Sequence, residues 1–267
     1  MKAMCRFCGI SRAAFYAWSK RMETPDPDEE RMAQILEAYR ASHRTYGYRR
    51  VTFQLQRRMS INHKAVLRLM NKLGIHSVAR RRRVYKQLSQ VKSVHHYANF
   101  LKRDFAALQP NQKWVTDVTY IQTQQGWAYL STIKDLFDGF IVAYQLKREN
   151  SIGLVTDTIR IARQKEKIGK GLILHSDQGY QYSSHPYHLL TSMAGIIPSM
   201  SRRGNCWDNA PMENFFGHLK EEALRQYKNP TFLEAQQIID EYIHFFNYER
   251  IQLKTRQTPY QRRCLST

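Results

Sequence analysis

Trp114-Val115-Thr116-Asp117-Val118-Thr119-Tyr120 is the stretch on which the reading of the fold turns. It is filled with β-branched and aromatic residues that alternate with a period of two, the pattern of a strand on a pleated sheet. Its single charge, Asp117, sits mid-strand, where a carboxylate is unfavourable unless it is paired or bound to a metal. Outward from it, residues 127–138 and 139–146 read as two further strands joined through Asp138-Gly139, giving a three-stranded antiparallel meander. Residues 151–166 carry Leu154, Val155, Ile159, Ile161 and Ala162 at helical spacing. Residues 171–176 form a short apolar strand that ends at Asp177. Residues 186–193 then read as helix, Ile196-Ile197 as strand, and 211–226 and 231–248 as helices.

Three strands, a helix, a strand, a helix, a strand and closing helices is the element order of an α/β ribonuclease-H-like core with a mixed five-stranded sheet. The first 105 residues have another texture. Ser11 can cap a helix continuing as RAAFYAWSK, and Gly9-Ile10-Ser11 resembles the turn of an incomplete helix-turn-helix over 1–24. After the acidic, proline-bearing linker ETPDPDEE, Met32, Ile35, Leu36 and Tyr39 mark one helix, and Val51, Phe53 and Leu55 a second. Asn62 caps a third, which carries Lys64, Val66, Arg68 and Leu69 and closes at Gly74. Three helices with basic side chains on the last predict a small all-α, helix-turn-helix-like DNA-binding region over 25–86. A basic linker is expected over 87–106, and the core with its C-terminal helix over 107–267.

Charge points the same way. The chain has 42 Lys+Arg against 22 Asp+Glu, a formal +20 over 267 residues. Residues 1–105 hold 23 basic and 7 acidic side chains, the remainder 19 and 15. Lys and Arg laid on phosphates release condensed counterions, so the amino-terminal part is the expected polyanion-binding region. Arg80-Arg81-Arg82-Arg83, between the helical region and the core, reads as a DNA-binding, phosphate-tracking run. Hydrophobic residues make up 42% of the chain, with sixteen Tyr, twelve Phe and four Trp, which excludes a largely disordered protein. No apolar run approaches the roughly 18–20 residues that span a bilayer, and no secretory signal opens the chain. Cys5 and Cys8 share a C-x-x-C spacing without a second ligand pair, so reduced thiols and no structural zinc are expected.

Three acids are placed for chemistry. Asp117 lies in the first strand, Asp177 ends the fourth in LHSDQGYQY, and Glu213 opens a helix in NAPMENFFGHLKEE. Carboxylates from two neighbouring strands and a covering helix can converge on a pair of divalent ions. Hard Mg²⁺ or Mn²⁺ takes oxygen ligands and keeps positions open for phosphate and water. Two such ions stabilise the attacking and leaving oxygens of an in-line displacement at phosphorus. Asp135 and Asp138 compete for a metal role, but their places near a strand end and in a turn favour hydrogen bonding. Glu221 and Glu222 read as exposed helix residues, and Asp208 as a loop support. Lys220, seven residues beyond Glu213, returns to nearly the same helix face, where it either holds a DNA phosphate or faces solvent.

Thirty-five residues separate Asp177 from Glu213. The strings WVTDVTY, LHSDQGYQY, SRRGNCWDNAPMENFFGHLKEE and FFNYERIQLKTRQTPY resemble the OrfB transposases of a widespread bacterial insertion-sequence family related to retroviral integrases. The resemblance spans nearly the whole chain. It implies an integrase-type DDE catalytic core in which Asp117, Asp177 and Glu213 are catalytic and hold the metal. It also implies that Lys220 contacts element-end DNA, with Asn209 and Asn214 flanking the glutamate and Asn214 on the DNA. Such enzymes hydrolyse a strand at the element end, and the freed 3′-OH attacks another phosphodiester, with no covalent protein–DNA intermediate and no ATP. The implied partners are double-stranded DNA, as element ends and target, and an upstream OrfA product as fusion or partner. Joining two ends implies a homo-oligomer on DNA, and the implied location is the bacterial cytoplasm, associated with the nucleoid and not with a membrane. Two other readings stay open: a non-catalytic DNA-binding relic or repressor of an element, and a plain nuclease on the same fold.

Overall fold

The strand around Asp117 becomes β1 (Lys113–Thr123), the centre of a five-stranded mixed sheet in a computed structural model that describes residues 2–23, 26–77 and 95–265. The other strands are β2 (Gly126–Asp135), β3 (Ile141–Lys147), β4 (Ile173–Ser176) and β5 (Ile197–Met200), in the order β3-β2-β1-β4-β5. β1, β2 and β3 form the expected antiparallel meander, with Asp117 opposite Thr132. β4 pairs parallel to β1, and β5 parallel to β4. β5 runs over 197–200 rather than 196–197, because the parallel ladder with β4 sets its limits.

Helices cover the sheet, and apolar spacing decides which residues face it. Helix α6 (Ile152–Lys165) starts at Ser151, whose side chain accepts the Leu154 N–H, and packs on β2 and β3. Its Val155 and Ile159 join Trp114, Ile133, Ala143, Leu174, Tyr182 and Met200 in one buried core. Helix α7 (His185–Met193) packs on β5, and helix α8 (Ala210–Glu222) on β1. The start of β1 is therefore buried on both faces: Trp114, Val115 and Thr116 have almost no exposure.

The two C-terminal helices read from the sequence are each interrupted. The span 211–226 is α-helical only to Glu222 and ends in a 3₁₀ turn, Leu224–Gln226. Helix α9 (Phe232–His244) opens with a Thr231/Glu234 capping box and widens into a π-helical turn, Phe245–Glu249. In that turn the Asn247 amide donates to the Ile141 carbonyl at 3.0 Å and accepts the Ile141 N–H at 2.8 Å, pinning the start of β3. Helix α10 (Pro259–Cys264) closes the described chain, and its Arg263 bonds both Asp135 and Asp138.

The chain divides into two units, Met1–Ser77 and Val78–Thr267. The first contains α1 (Lys2–Phe7), α2 (Arg12–Glu23), α3 (Glu29–Ala41), α4 (Tyr48–Leu55) and α5 (His63–Lys72). Asn62 caps α5 as its sequence predicts, its side chain accepting the Lys64 N–H at 2.9 Å. Ile35, Val51, Leu55, Val66 and Leu69 form the buried centre. ETPDPDEE is more than a linker. Asp28 binds Arg68 of α5 at 2.6 Å, and Asp26 pairs with Lys72, so two of the basic side chains on that helix already face carboxylates. Lys64 is exposed at its first turn.

The linker expected over 87–106 is part of the second unit from His95 onward. The His95 N–H bonds the Ser183 carbonyl at 3.0 Å, the Phe100 N–H bonds Ser199 Oγ at 2.9 Å, and Leu101 is buried. Arg80, Arg81, Arg82 and Arg83 lie outside the described residues. Cys5 is a buried free thiol and Cys8 an exposed one. Among the described residues, no helix is long and apolar enough to cross a membrane.

Candidate active site

Pairing between β1 and β4 brings two of the three acids side by side. The ladder matches Trp114 with Leu174 and Val115 with His175 and ends there, leaving Asp117 two residues beyond it on β1 and Asp177 two residues beyond it, just past the end of β4. There β4 ends and the chain turns. The Gly179 N–H donates to Asp177 Oδ1 at 2.9 Å, and a Cβ on Gly179 would lie 2.9 Å from that oxygen and 3.0 Å from Gln181 Oε1, so a larger residue there would push these side chains aside. Asp117 Oδ1 accepts the Val118 N–H at 2.8 Å. Glu213 enters from the first turn of α8 and is half-buried. Asn209, just before that helix, donates from Nδ2 to the Thr116 carbonyl at 3.3 Å, tying the helix start to the strand beside Asp117.

The site is negatively charged and poorly neutralised. Burial pushes the Asp117 carboxyl well above its ordinary value, Asp177 and Glu213 add to the rise, and the Val118 N–H and Lys220 oppose it. Burial also raises Asp177, against the Gly179 N–H. Asp177 nonetheless keeps exposed surface, so the pair is desolvated by the surrounding protein yet reachable from outside. Among the described residues neither aspartate has an ion-pair partner. A buried carboxylate without a partner is costly, and two together more so. The donors are all hard oxygens, and the buried Oδ1 of Asn209 has no hydrogen-bond partner. This chemistry fits a divalent cation. The acids do not form a closed cage: among the described residues, no three His, Cys, Asp or Glu side chains are gathered tightly enough to hold an ion as they stand.

Sequence comparisons agree with this geometry. The integrase core domain family matches residues 107–206, a second integrase core domain family matches 213–265, and the HTH-like domain family matches 26–83. The InsK protein of insertion sequence element IS150 from Escherichia coli K12 is 38% identical over 252 residues, 94% of this chain and 88% of that one. The chain belongs to the insertion-sequence transposases. Transposase InsF of insertion sequence IS3A from the same organism is 31% identical over 84% of this chain and 79% of its own length. A chain of the simian T-cell lymphotropic virus intasome, solved with PP2A regulatory subunit B56 gamma, matches with a TM-score of 0.52 at 16% identity, over 85% of this chain and 73% of that one. That likeness is one of fold, the ribonuclease-H-like integrase core. The transposase is therefore a DDE-type polynucleotidyl transferase that binds DNA.

Other expected site residues of the transposase sort by position. Asn214 is exposed on α8. Lys220 is half-buried, with Nζ 5.3 Å from the ring centre of Tyr120. Asp208 supports the loop, as expected: it is fully buried and accepts bonds from Arg202, Arg103 and Asn99. Arg202 above all holds it below the usual carboxylate range. Asp135 and Asp138 are hydrogen-bonding residues, gripped by Arg263 with Glu166 at 2.9 Å from the same guanidinium. Burial, then Asp135, still raises Asp138 to about 6.

Glu221 and Glu222 correct the sequence reading. Both are buried, because α8 turns its last turn inward. Glu221 pairs with Arg225, and Glu222 accepts two bonds from Arg250, at 2.7 and 2.6 Å, and one from Tyr242 at 2.9 Å. Two further supports had no sequence signal. His175 is clasped between Ser199 Oγ at 2.8 Å and Ser201 Oγ at 3.0 Å, and burial lowers it to about 4, a neutral post below Asp177. Tyr182 lies buried 3.4 Å from Thr116 Oγ1, and burial, then Asp117 and Asp177, push its phenol well up. It stays a neutral hydroxyl.

Proposed function

We propose that Asp117, Asp177 and Glu213 are the catalytic carboxylates of this transposase and hold two Mg²⁺ or Mn²⁺ ions between them. The observation that carries the reading is the Asp117–Asp177 pair, each two residues past the end of the parallel β1–β4 ladder, desolvated, and without an ion-pair partner among the described residues. When bound, the ions supply Lewis-acid stabilisation of the attacking and leaving oxygens at phosphorus. Glu213 sits on a flexible three-bond side chain in the first turn of α8, and in this reading it swings inward to complete the site. The Val118 and Gly179 N–H groups hold one oxygen of each aspartate and leave the other for a ligand. Asn209 fixes the helix start against β1, and Tyr182 and His175 keep the floor neutral and rigid.

The enzyme cuts a strand at the insertion-sequence end and joins the freed 3′-OH to target DNA. Lys220 and the exposed Asn214 face the phosphates next to the reacting one. The region over 25–86 binds duplex DNA, Arg80–Arg83 follow its backbone, and the catalytic core extends over 107–267. Two joined ends call for a homo-oligomer on DNA, an OrfA product acts as fusion or partner, and the enzyme works on the bacterial nucleoid in the cytoplasm. A labelled element-end duplex, incubated with Mg²⁺ or Mn²⁺ and either native protein or Glu213→Gln, tests the reading. Metal-dependent cleaved and joined products from the native protein alone are expected. Equal products from both proteins would remove Glu213 from the site.

A further inference from the structure

Tyr120 and Trp127 are large aromatic residues left open to solvent, 53% and 54% exposed. They meet across the β1–β2 hairpin with ring centres 5.7 Å apart and planes at 84°, forming a step. The Lys220 ammonium stands 5.3 Å from the Tyr120 ring centre and also acts on Asp117, so the step adjoins the carboxylate site. β1 pairs with β4 only as far as Val115, and Tyr120 lies beyond that point. Exposing this much aromatic surface beside a cation is costly unless something covers it.

We infer that the Tyr120–Trp127 step is a stacking site for an unpaired nucleobase at the DNA end, with Lys220 taking the phosphate of the same strand. The occupant follows from the chemistry of the step. An aromatic face accepts any base by stacking, a neighbouring cation accepts the backbone, and this combination is how single strands are held without sequence readout. A base inside a duplex has both faces covered, so only a frayed or overhanging base can enter. The inference rests on the assignment of the carboxylate site, since it takes the strand end held here to be the one presented to Asp117 and Asp177.

The test uses the full chain in Ca²⁺ buffer, which permits binding, and two DNA duplexes. One is blunt and the other carries a three-nucleotide single-stranded overhang with 2-aminopurine at each overhang position in turn. Stacking quenches 2-aminopurine, so its fluorescence should fall several-fold at one position on binding the native protein. The overhang duplex should bind about 5-fold to 100-fold more tightly than the blunt one, the range one stacked base commands. Trp127→Ala and Tyr120→Ala should abolish both the quench and the preference, while Tyr120→Phe and Trp127→Phe keep them, which separates stacking from a folding defect. Unchanged fluorescence with native protein, or a preference that survives both alanine variants, would overturn the inference. Asp117→Asn should keep the quench while losing cleavage in Mg²⁺. Cleavage by Asp117→Asn would defeat the carboxylate assignment and leave the stacking result to be read by itself.

Discussion

Helix α8 carries a glutamate at each end, and the two live in opposite electrostatic worlds. Glu222, in the last turn, is buried against a forked Arg250, with Tyr242 and His218 beside it. Burial pulls its pKa up, but the bonds from His218 and Arg250 outweigh that and hold it well below the ordinary range. Glu213, in the first turn, adds its charge to Asp117, which burial and Asp177 have already raised. One end is a closed staple in which Glu222 meets Arg250 within the chain. At the other, Asp117 and Asp177 lie together with no ion-pair partner among the described residues, and that is the condition under which an external cation gains most. Neutralisation, rather than burial or acidity, separates a structural carboxylate from a catalytic one here.

The comparison breaks most sharply under mutation. Asp177→Asn should lower strand cleavage by about a thousandfold, the rate equivalent of about 4 kcal/mol of lost metal-borne stabilisation. Its binding to DNA in a gel-shift assay should not change. Cleavage at native rates would show that this carboxylate is not needed. In metal-free buffer the same variant should melt no lower than native protein, because it removes an uncompensated charge. Arg250→Met should do the reverse, leaving Glu222 buried and unpaired at a cost of about 3–5 kcal/mol. For a domain of this size that is a fall of about 10 °C in Tm by calorimetry. An unshifted Tm would mean that the Glu222 pair contributes nothing.

The open end of α8 was legible in the sequence and the closed end was not, for a physical reason. Asp117, Asp177 and Glu213 stand in local contexts that are unusual by themselves: a charge mid-strand, a charge at a strand end, an acid opening a helix. Glu222 follows Glu221 near a helix end with nothing local to distinguish it, and its partner Arg250 arrives only after α9 and the π-helical turn have reversed the chain. The meander, the short strand at β4 and the cap at Asn62 followed from alternation, a brief apolar run and a polar side chain at a fixed place. Supports such as His175 between two serines of the following segment depend on the β4–β5 register, which short apolar runs leave undetermined. The acidic segment before α3 misled in the same way: its composition marks a linker, whereas Asp26 and Asp28 in fact grip a helix some forty residues on.

Metal and pH sharpen the contrast further. Asp117 has a folded pKa raised above its ordinary 3.8, so its favourable contribution to folding is complete below that value and is lost as pH rises through the raised one. Glu222 is depressed below its ordinary 4.5, so its contribution is present above that value and is lost as pH falls. Without metal, the Tm of native protein relative to Asp117→Asn should therefore decline as pH rises above the ordinary 3.8 of an aspartate. Mg²⁺ should reverse the decline, by about 2.7 kcal/mol at a hundredfold excess over its Kd, and should leave the aspartate variants unmoved. A native melting curve indifferent to Mg²⁺ at neutral pH would remove the argument that the carboxylate pair is held open for a cation.

Lys220 provides the smallest effect and the finest distinction. It lowers the Asp117 pKa, but as the last of the causes, after burial, Asp177, the Val118 N–H and Glu213, whereas Arg250 bonds Glu222 directly. If it served mainly to neutralise the pair, Lys220→Gln would destabilise the fold as Arg250→Met does. Its side chain instead lies along the Tyr120 ring, half-exposed, where a phosphate can reach it. The expected result is a Tm within about 2 °C of native, reflecting less than about 1 kcal/mol. DNA binding should weaken several-fold without sequence bias, and the slope of log K against log salt should shrink by about one phosphate contact. A large loss of stability with an unchanged salt slope would make Lys220 a second staple and would leave α8 with no basic contact to DNA at its open end.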